Sequence, residues 1–417
     1  MGITIAFQVN RRNRVVTIDA GSGVLPAFLM ATSLVDARKI LQELVAIPSV
    51  HPEADGAGTA PGEAAMAAWM SDHLRRLGAD VSVSELSPGR PSVVGVFEPA
   101  RPARATVAFA PHLDTVGVRG MTVPAFRLTE QAGRLYGRGS CDTKGPTAAL
   151  LAAVGKWVRS RWARTNDIRW IVAATAGEEQ GSLGAQALVA KGFSADFVVA
   201  LEPTDLRVVT AAKGILRVWI DVPGRAAHGA RPERGDNAVY RALPLLRWLQ
   251  KDLGPTLAGK KNSVLGGCSV NVGIVQGGGE MNLVPALCRL GLDIRIHPDF
   301  PGPEVLRLLR RAIAQHAPAA KLSIHREGPA FITPRTDPWA RRLRSAGRGW
   351  AAADWFCDAN IFAGSAISAV AFGPGSIAQA HTRDEYIVAR ELQWGVAAFA
   401  HFLQGEGAVV GRARARD

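Results

Sequence analysis

The sequence predicts an α/β protein in which helices cover a mixed, mostly parallel sheet and a smaller ferredoxin-like α+β domain is inserted. Three observations predict this fold. Strand-like runs alternate with helical patterns over residues 33–212, the order changes to β-α-β-β-α-β over residues 213–328, and strand–helix alternation returns over residues 329–408. The length of 417 residues agrees with two domains.

Hydrophobic periodicity identifies the elements of the first region. Apolar residues at helical spacing predict helices, and short apolar runs between turn residues predict strands. The predicted helices are Leu34–Val45, Glu63–Leu77, 145–158 and Leu183–Lys191. The predicted strands are Val81–Glu85, Val93–Phe97, Ala105–Phe109, Ile168–Ala174 and Phe197–Leu201. Because helices separate the later strands, those strands are expected to run parallel.

The same patterns divide the rest of the chain. In the inserted region, the predicted strands are Ile215–Val222, Ser269–Val275, Leu290–Ile296 and Lys321–His325, and the predicted helices are Asn237–Leu253 and Pro303–His316. After it we expect helix Pro338–Ala346, strand Ile367–Phe372 and helix Ala389–Leu403. Residues 1–32 are expected to be a disordered or non-native extension, and residues 409–417 a flexible tail.

Composition excludes several classes of protein. Forty-nine Lys and Arg against 36 Asp and Glu give a charge of +13, but no long basic run with interleaved aromatics indicates a nucleic-acid partner. No apolar stretch reaches the roughly 20 residues of a membrane helix. The four cysteines form no CxxC pair, which is typical of reduced thiols and predicts a cytoplasmic protein.

Possible metal ligands follow several of the predicted strands. Glu178 and Glu179 come after a buried strand, where two adjacent carboxylates are costly unless a positive charge neutralises them. His112, Glu202 and His381 also follow strands, and carboxyl ends of parallel strands share one edge of a sheet. We therefore expect these side chains to meet at a metal site.

Asp142 adds a further carboxylate, in a glycine-rich turn before a helix. That turn lacks the GxxxxGK[ST] spacing of a phosphate-binding loop. An N-cap carboxylate is an equal alternative from this segment alone. Considered together with His112, Asp142 is better explained as a bridge between two cations.

Two histidines and three carboxylates suit Zn²⁺, Co²⁺ or Mn²⁺ better than Mg²⁺ or Ca²⁺. Two such ions sharing Asp142 would activate water, and Glu178 would act as the general base. Asp114 lies two residues after His112 and could accept a hydrogen bond from its imidazole.

Together these motifs resemble the M20 metallopeptidase and deacylase family over residues 33–405. The resemblance implies a homodimeric hydrolase of N-acyl amino acids or short peptides with two zinc or cobalt ions, and a lid and dimerisation role for residues 213–328. It implies that His112 and Glu202 hold one metal. Glu179 and His381 would hold the other, with Asp142 between them.

The resemblance also assigns residues that contact the substrate. Gly224–His228 matches a G-x-x-x-H segment whose histidine stabilises the oxyanion in the partner's site, which implies that role for His228. Arg295 would bind the substrate α-carboxylate, with Asn282 of the other subunit nearby. A cross-strand ion pair and a turn amide remain alternatives for these two residues. Gly375, where the backbone can approach closely, is assigned to substrate binding.

The segment Gly373–Tyr386 resembles the acetylornithine deacetylase branch, so N-acetylornithine is the first predicted substrate. Phe356–Ala359 departs from that branch, which usually has Thr-Glu-Ala there. The alternatives are desuccinylation of succinyl-diaminopimelate, deacylation of another N-acyl amino acid, or cleavage of di- or tripeptides. A non-catalytic binding protein on this fold would be expected to have lost a ligand or the base, and none is missing.

Overall fold

The computed structural model describes residues 27–54 and 62–404, with side chains from residue 36 onward. Of the predicted N-terminal extension, residues 1–26 lie outside the described residues, and residues 27–32 form the start of the first helix. The predicted tail, residues 409–417, also lies outside them. No helix among the described residues is long and apolar enough to span a membrane.

The elements follow the predicted alternation. The helices of the described residues are α1 (Ala27–Val45), α2 (Gly62–Arg76), α3 (Lys144–Trp157), α4 (Leu183–Ala190), α5 (Ala238–Trp248), α6 (Gly254–Gly259), α7 (Gly302–His316), α8 (Pro338–Ala346), α9 (Asp358–Gly364) and α10 (Ala389–Gln404). The strands are β1 (Asp80–Ser87), β2 (Arg90–Phe97), β3 (Ala105–Ala110), β4 (Thr129–Gln131), β5 (Arg134–Tyr136), β6 (Ile168–Ala174), β7 (Phe197–Leu201), β8 (Arg207–Ala212), β9 (Gly214–Pro223), β10 (Lys261–Asn262), β11 (Gly266–Gly267), β12 (Ser269–Gly277), β13 (Leu287–Ile296), β14 (Lys321–Gly328), β15 (Phe331–Ile332), β16 (Gly349–Ala353), β17 (Ser368–Phe372) and β18 (Tyr386–Val388).

The large sheet has the order β1-β2-β6-β3-β7-β17-β8-β15, and β16 also pairs with β8. Its four central strands, β6, β3, β7 and β17, run parallel, and the strands at both sides add antiparallel pairs. This is the predicted mixed sheet with a parallel centre. The parallel strands end at one edge, which brings the segments that follow them together.

Helices cover both faces of this sheet. Alternate residues of a strand face opposite sides, so Val107 and Phe109 of β3 join a core with α1, α3 and α10, whereas Ala108 and Ala110 face α4 and α9. Removing the apolar surface of both cores from water stabilises the sheet that positions the site.

A second sheet stands apart with its own core. Its order is β12-β13-β9-β14, every neighbouring pair is antiparallel, and α5 and α7 pack against it. This is the strand order of a ferredoxin-like unit. The predicted helix Asn237–Leu253 is α-helical as far as Trp248, after which Leu249–Leu253 forms one π-helical segment.

Several short elements were not predicted from the sequence, among them β8, β15, β16 and α9. They contain two to seven residues, too few to display a clear hydrophobic period. β8 and β16 extend the large sheet next to β17, and α9 closes one face of it.

Candidate metal centre

His112 lies just beyond β3, beside the end of β6. It forms a bridge with Thr175, and the N–H of Leu113 donates to the Thr175 carbonyl at 2.8 Å. His112 Nδ1 lies 2.9 Å from the backbone carbonyl oxygen of Asp114 and 3.5 Å from its carboxylate. The nearer acceptor is therefore the backbone carbonyl rather than the expected carboxylate. A proton on Nδ1 leaves Nε2, 3.0 Å from Asp142, as the ligand atom.

The Asp114 carboxylate instead holds the acidic turn. Its Oδ1 accepts the N–H of Glu178 at 3.1 Å, and its Oδ2 accepts the N–H of Glu179 at 3.0 Å. On the other side of the turn, Glu63 Oε1 accepts the N–H of Gly177 at 2.6 Å. Two buried carboxylates thus fix the backbone from which both glutamate side chains project.

Asp142 is positioned by a buried glutamate. Glu385 Oε1 accepts the N–H groups of Cys141 and Asp142, each at 2.9 Å. Its Oε2 accepts the N–H of Gly139 at 2.9 Å and a guanidinium N–H of Arg138 at 2.7 Å. One carboxylate therefore organises the whole loop that delivers Asp142.

His381 joins the second side of the cluster. Its Nε2 lies 3.1 Å from Glu179 Oε1 and 3.3 Å from Asp142 Oδ2. Asp142 thus contacts His112 through one oxygen and His381 through the other. Two metal positions sharing this carboxylate would place one histidine on each.

The ligand atoms of the predicted set are close enough to hold metal ions. Three groups have one ligand atom per residue, all within 4.8 Å of one another. These groups are His112–Asp142–Glu202, Asp142–Glu179–His381 and His112–Glu178–Glu179. The first two share Asp142, and its bridging role stays a prediction. The third puts Glu178 within reach of the same ligands, so distance alone does not separate its role from that of Glu179.

The pKa values show how strongly these charges interact. Burial raises the pKa of Glu178, Glu179 and Glu202, and the neighbouring carboxylates raise it further. Burial works against ionisation of Asp142 too, but hydrogen bonds from His112 and His381 hold its pKa well below the usual range. Hydrogen bonds to Asp142 and Glu179 raise the pKa of His381 to about 10, although burial opposes this shift. Divalent cations would replace these protons and relieve the repulsion among the carboxylates.

A cavity of about 380 Å³ opens onto the cluster between the large sheet and the second sheet. Its floor includes Glu178, Glu179 and His381. Its other walls are three arginines of the second sheet and an apolar side. The remaining lining residues are Gly181, Ile215, Arg217, Arg295, Arg326, Trp355, Phe356, Ile377 and Ala380.

Residues 108–405 match the family model described as "Peptidase family M20/M25/M40". The chain belongs to the M20 family. Members of this family are dinuclear metal-dependent enzymes, and this chain is an M20 hydrolase.

Relatives of known name agree with this assignment. An acetylornithine deacetylase of Myxococcus xanthus is 34% identical over 319 residues, covering 72% of this chain and 81% of the relative. A succinyl-diaminopimelate desuccinylase of Sphingopyxis alaskensis is 31% identical over 323 residues, covering 73% and 79%. The crystal structure of the M20 metallo-carboxypeptidase Sso-CP2 from Sulfolobus solfataricus has a TM-score of 0.75 at 17% identity, covering 88% of this chain and 98% of that one.

The substrate residues implied by the M20 resemblance fall into two sets. Arg295 lines the cavity. His228 and Asn282 do not; both are exposed, and they lie together where the Gly229 N–H donates to the Asn282 carbonyl at 2.6 Å. Gly375 does not line the cavity either; it has a positive φ of 90°, and a Cβ built on it would lie 2.8 Å from Cys141 Sγ.

Sequence reasoning assigned no role to the side chains that support the candidate ligands. Glu63 holds the acidic turn and pairs with Arg90, and Glu385 holds the Asp142 loop. Asp358 is buried behind the site, where Thr175 donates to it at 2.5 Å. A buried carboxylate is costly without partners, but the sequence does not reveal which backbone amides supply them.

Proposed function

We propose that this protein hydrolyses the amide bond of an N-acyl amino acid, and that Glu178 activates the attacking water. One observation carries the proposal. Two histidines and three carboxylates converge around Asp142 at the floor of the cavity, and a further acid, Glu178, faces the same space. This arrangement supports a metal pair held by five residues, with Glu178 as the proton-transferring carboxylate.

The ligand set fits zinc, cobalt or manganese. His112, Glu202 and Asp142 would hold one ion, and Glu179, His381 and Asp142 the other. Bound divalent cations supply Lewis acidity, which lowers the pKa of water and polarises an amide carbonyl. The identity of the metal is part of the proposal.

Glu178 would take the proton of the attacking water and return it to the leaving nitrogen. Burial and the charges of Glu202 and Glu179 raise its pKa, which suits a group that must accept and then donate a proton near neutral pH. The N–H of its own residue is fixed by Asp114, so its side chain starts from an ordered backbone. Such positioning lowers the entropy cost of the transfer.

N-Acetylornithine is the first substrate to test, because the Gly373–Tyr386 segment and the Myxococcus xanthus relative both favour it. Desuccinylation of succinyl-diaminopimelate is the second candidate, and the three arginines of the cavity favour it over a substrate with a cationic side chain. Other N-acyl amino acids and short peptides complete the panel. The test is a deacylation screen of the purified protein loaded with Zn²⁺, Co²⁺ or Mn²⁺. Absence of metal-dependent release from every amide in the panel would refute the proposal.

We also propose that the protein acts as a homodimer. Apolar side chains remain exposed on the second sheet and its helix: Tyr240, Leu243, Ile274 and Val275. Two of them lie on β12, which within residues 27–54 and 62–404 pairs only with β13 and is therefore an edge strand. Edge strands with exposed apolar residues favour pairing with another chain.

His228 supplies the sharpest test of that dimer. It is exposed away from the cavity of its own chain, so its proposed role at an oxyanion requires a partner. His228→Ala and Glu178→Ala should each be inactive. Mixing them after unfolding and refolding should restore about a quarter of wild-type activity, because hybrid dimers contain one intact site. No recovery from a mixture proven to contain hybrids would exclude a contribution across the dimer.

We further propose a cytoplasmic location. The four cysteines, all within the described residues, are free and buried, which is typical of a reducing compartment.

A further inference from the structure

Three arginines meet on one face of the second sheet, above the metal ligands. Arg217 lies on the central strand β9, Arg295 on β13 and Arg326 on β14. In the strand register, Arg217 is directly opposite Asp293 on one side and Arg326 on the other. All three arginines line the cavity that contains Glu178 and Glu179.

Among the described residues of the second sheet, Asp293 is the one carboxylate that pairs with these three arginines. Asp293 Oδ1 accepts from Arg295 Nε at 2.7 Å, and Asp293 Oδ2 accepts from Arg217 Nε at 2.7 Å. Among the residues that the structure describes, Arg326 forms no ion pair. The cavity wall therefore carries two positive charges in excess of its acid.

A β-bulge creates this excess. The register of β14 against β9 shifts between Ile324 and Arg326, so one extra residue, His325, is accommodated there. A bulge redirects the side chains that follow it. Here it sets Arg326 beside Arg217, and like charges directly opposite each other in a sheet are destabilising. An unfavourable pair that also lines a cavity indicates a ligand that neutralises it.

The turn after β6 leaves room for Arg326. A Cβ built on Gly181 would lie 2.3 Å from Arg326 Cδ and 2.6 Å from its Nε. Gly181 also has a φ of +98°, which other residues rarely adopt. The turn that carries Glu178 and Glu179 therefore ends in the residue that allows this guanidinium to approach.

We propose that Arg217 and Arg326 form an anion subsite for a second carboxylate of the substrate, so that the preferred substrate is an N-acyl amino acid with two carboxylates. This inference rests on the proposed function. Arg295 remains the candidate partner of the α-carboxylate. A planar guanidinium pair matches a carboxylate in geometry and charge, whereas a cationic side chain would meet the repulsion of the same wall.

The second carboxylate could belong to the acyl group or to the amino-acid side chain, and matched substrates separate these sources. N-Succinylalanine is compared with N-butanoylalanine, and N-acetylglutamate with N-acetylglutamine. We expect at least one charged member to exceed its neutral partner by about tenfold or more in kcat/KM. Equal or faster hydrolysis of both neutral members would overturn the subsite and leave the amide hydrolase proposal intact. Hydrolysis of none of the four compounds nor of the remaining panel would count against the proposed function itself.

The residues are tested by substitution. Arg326→Gln and Arg217→Gln should each raise KM for the preferred dicarboxylate about 10–100-fold. The KM for its neutral partner should change little, because the neutral compound makes no charged hydrogen bond to these arginines. Arg326→Lys should recover part of that loss by restoring the charge. The control is Arg289→Gln, since Arg289 belongs to the same sheet but pairs with Asp221 and does not line the cavity.

Two results would contradict the assignment of these arginines. One is an Arg326→Gln variant that loses the charged and neutral substrates equally, which indicates a structural role. The other is a folded Arg326→Gln variant, verified by circular dichroism, that is indistinguishable from Arg289→Gln on the dicarboxylate.

Discussion

Glu385 is predicted to be the residue on which the Asp142 loop depends most. Its carboxylate accepts three backbone N–H groups and one guanidinium N–H, from Cys141, Asp142, Gly139 and Arg138. Both members of its ion pair are nearly inaccessible, with 4% of the Arg138 side chain and 1% of the Glu385 side chain exposed. Water therefore cannot replace these contacts when the acceptor is removed.

The substitution Glu385→Gln keeps the shape but replaces one oxygen with an N–H₂ group. In either orientation of the amide, two of the four donors face another donor. Each buried donor left without an acceptor costs about 1–3 kcal/mol. Arg138 keeps two carbonyl acceptors, those of Gly117 and Thr382, which limits its share. We therefore expect the free energy of unfolding of the metal-free protein to fall by about 2–4 kcal/mol.

The assay is urea unfolding of metal-free protein followed by a metal titration of the folded variant. Glu385 is not one of the proposed metal ligands. Weaker metal binding would therefore arise from displacement of the loop that carries Asp142. Glu130→Gln is the control, because Glu130 forms an exposed ion pair with Arg38 and should change stability by less than about 1 kcal/mol. A Glu385→Gln variant no less stable than this control, with unchanged metal affinity, would refute the reasoning.

Three further predictions concern pH and the acidic turn. Burial lowers the pKa of His73 to about 4, so below pH 6.5 the unfolded chain binds more protons than the folded chain. The free energy of unfolding should therefore fall by about 1–2 kcal/mol between pH 6.5 and 4, after discounting for solvent screening. In thermal unfolding, His73→Gln should flatten this dependence on pH. The pKa values of His112 and His381 are raised, so metal affinity should weaken as the pH falls. Calorimetry in buffers of different ionisation enthalpy should detect a net release of protons on metal binding at about pH 7; no release would contradict this. Asp114→Asn removes one of the two acceptors of the turn, so kcat should fall by about tenfold or more while two metals remain bound; an unchanged kcat would show that Asp114 does not order the turn.

Much of the fold was predictable because its long elements carry a clear pattern. Ile168–Ala174, Phe197–Leu201 and Pro338–Ala346 have the predicted bounds. The bulge at His325 was not predictable, because it depends on the register of β14 against β9 rather than on the residues of β14. For the same reason, no pattern in the sequence indicated that Arg326 would line the cavity.

That the candidate metal ligands lie close together was predictable, because their chemistry restricts the residue types and the parallel sheet restricts their positions. His112, Glu179 and Glu202 follow β3, β6 and β7. These three strands are adjacent in the sheet, and all three were predicted from the sequence. The supporting acids were not predictable. Glu385 lies 244 positions from Cys141 and Glu63 lies 114 positions from Gly177, and both act on backbone amides that any residue could provide.

The central claim is that the adjacent acids Glu178 and Glu179 have different roles, although both lie within reach of His112. Metal content and kcat of Glu178→Ala and Glu179→Ala, measured on the same preparations, test it most directly. We predict that Glu178→Ala retains two metals per chain and loses about 10²–10⁴-fold in kcat, whereas Glu179→Ala loses one metal. Equal metal loss in the two variants would contradict the division of roles.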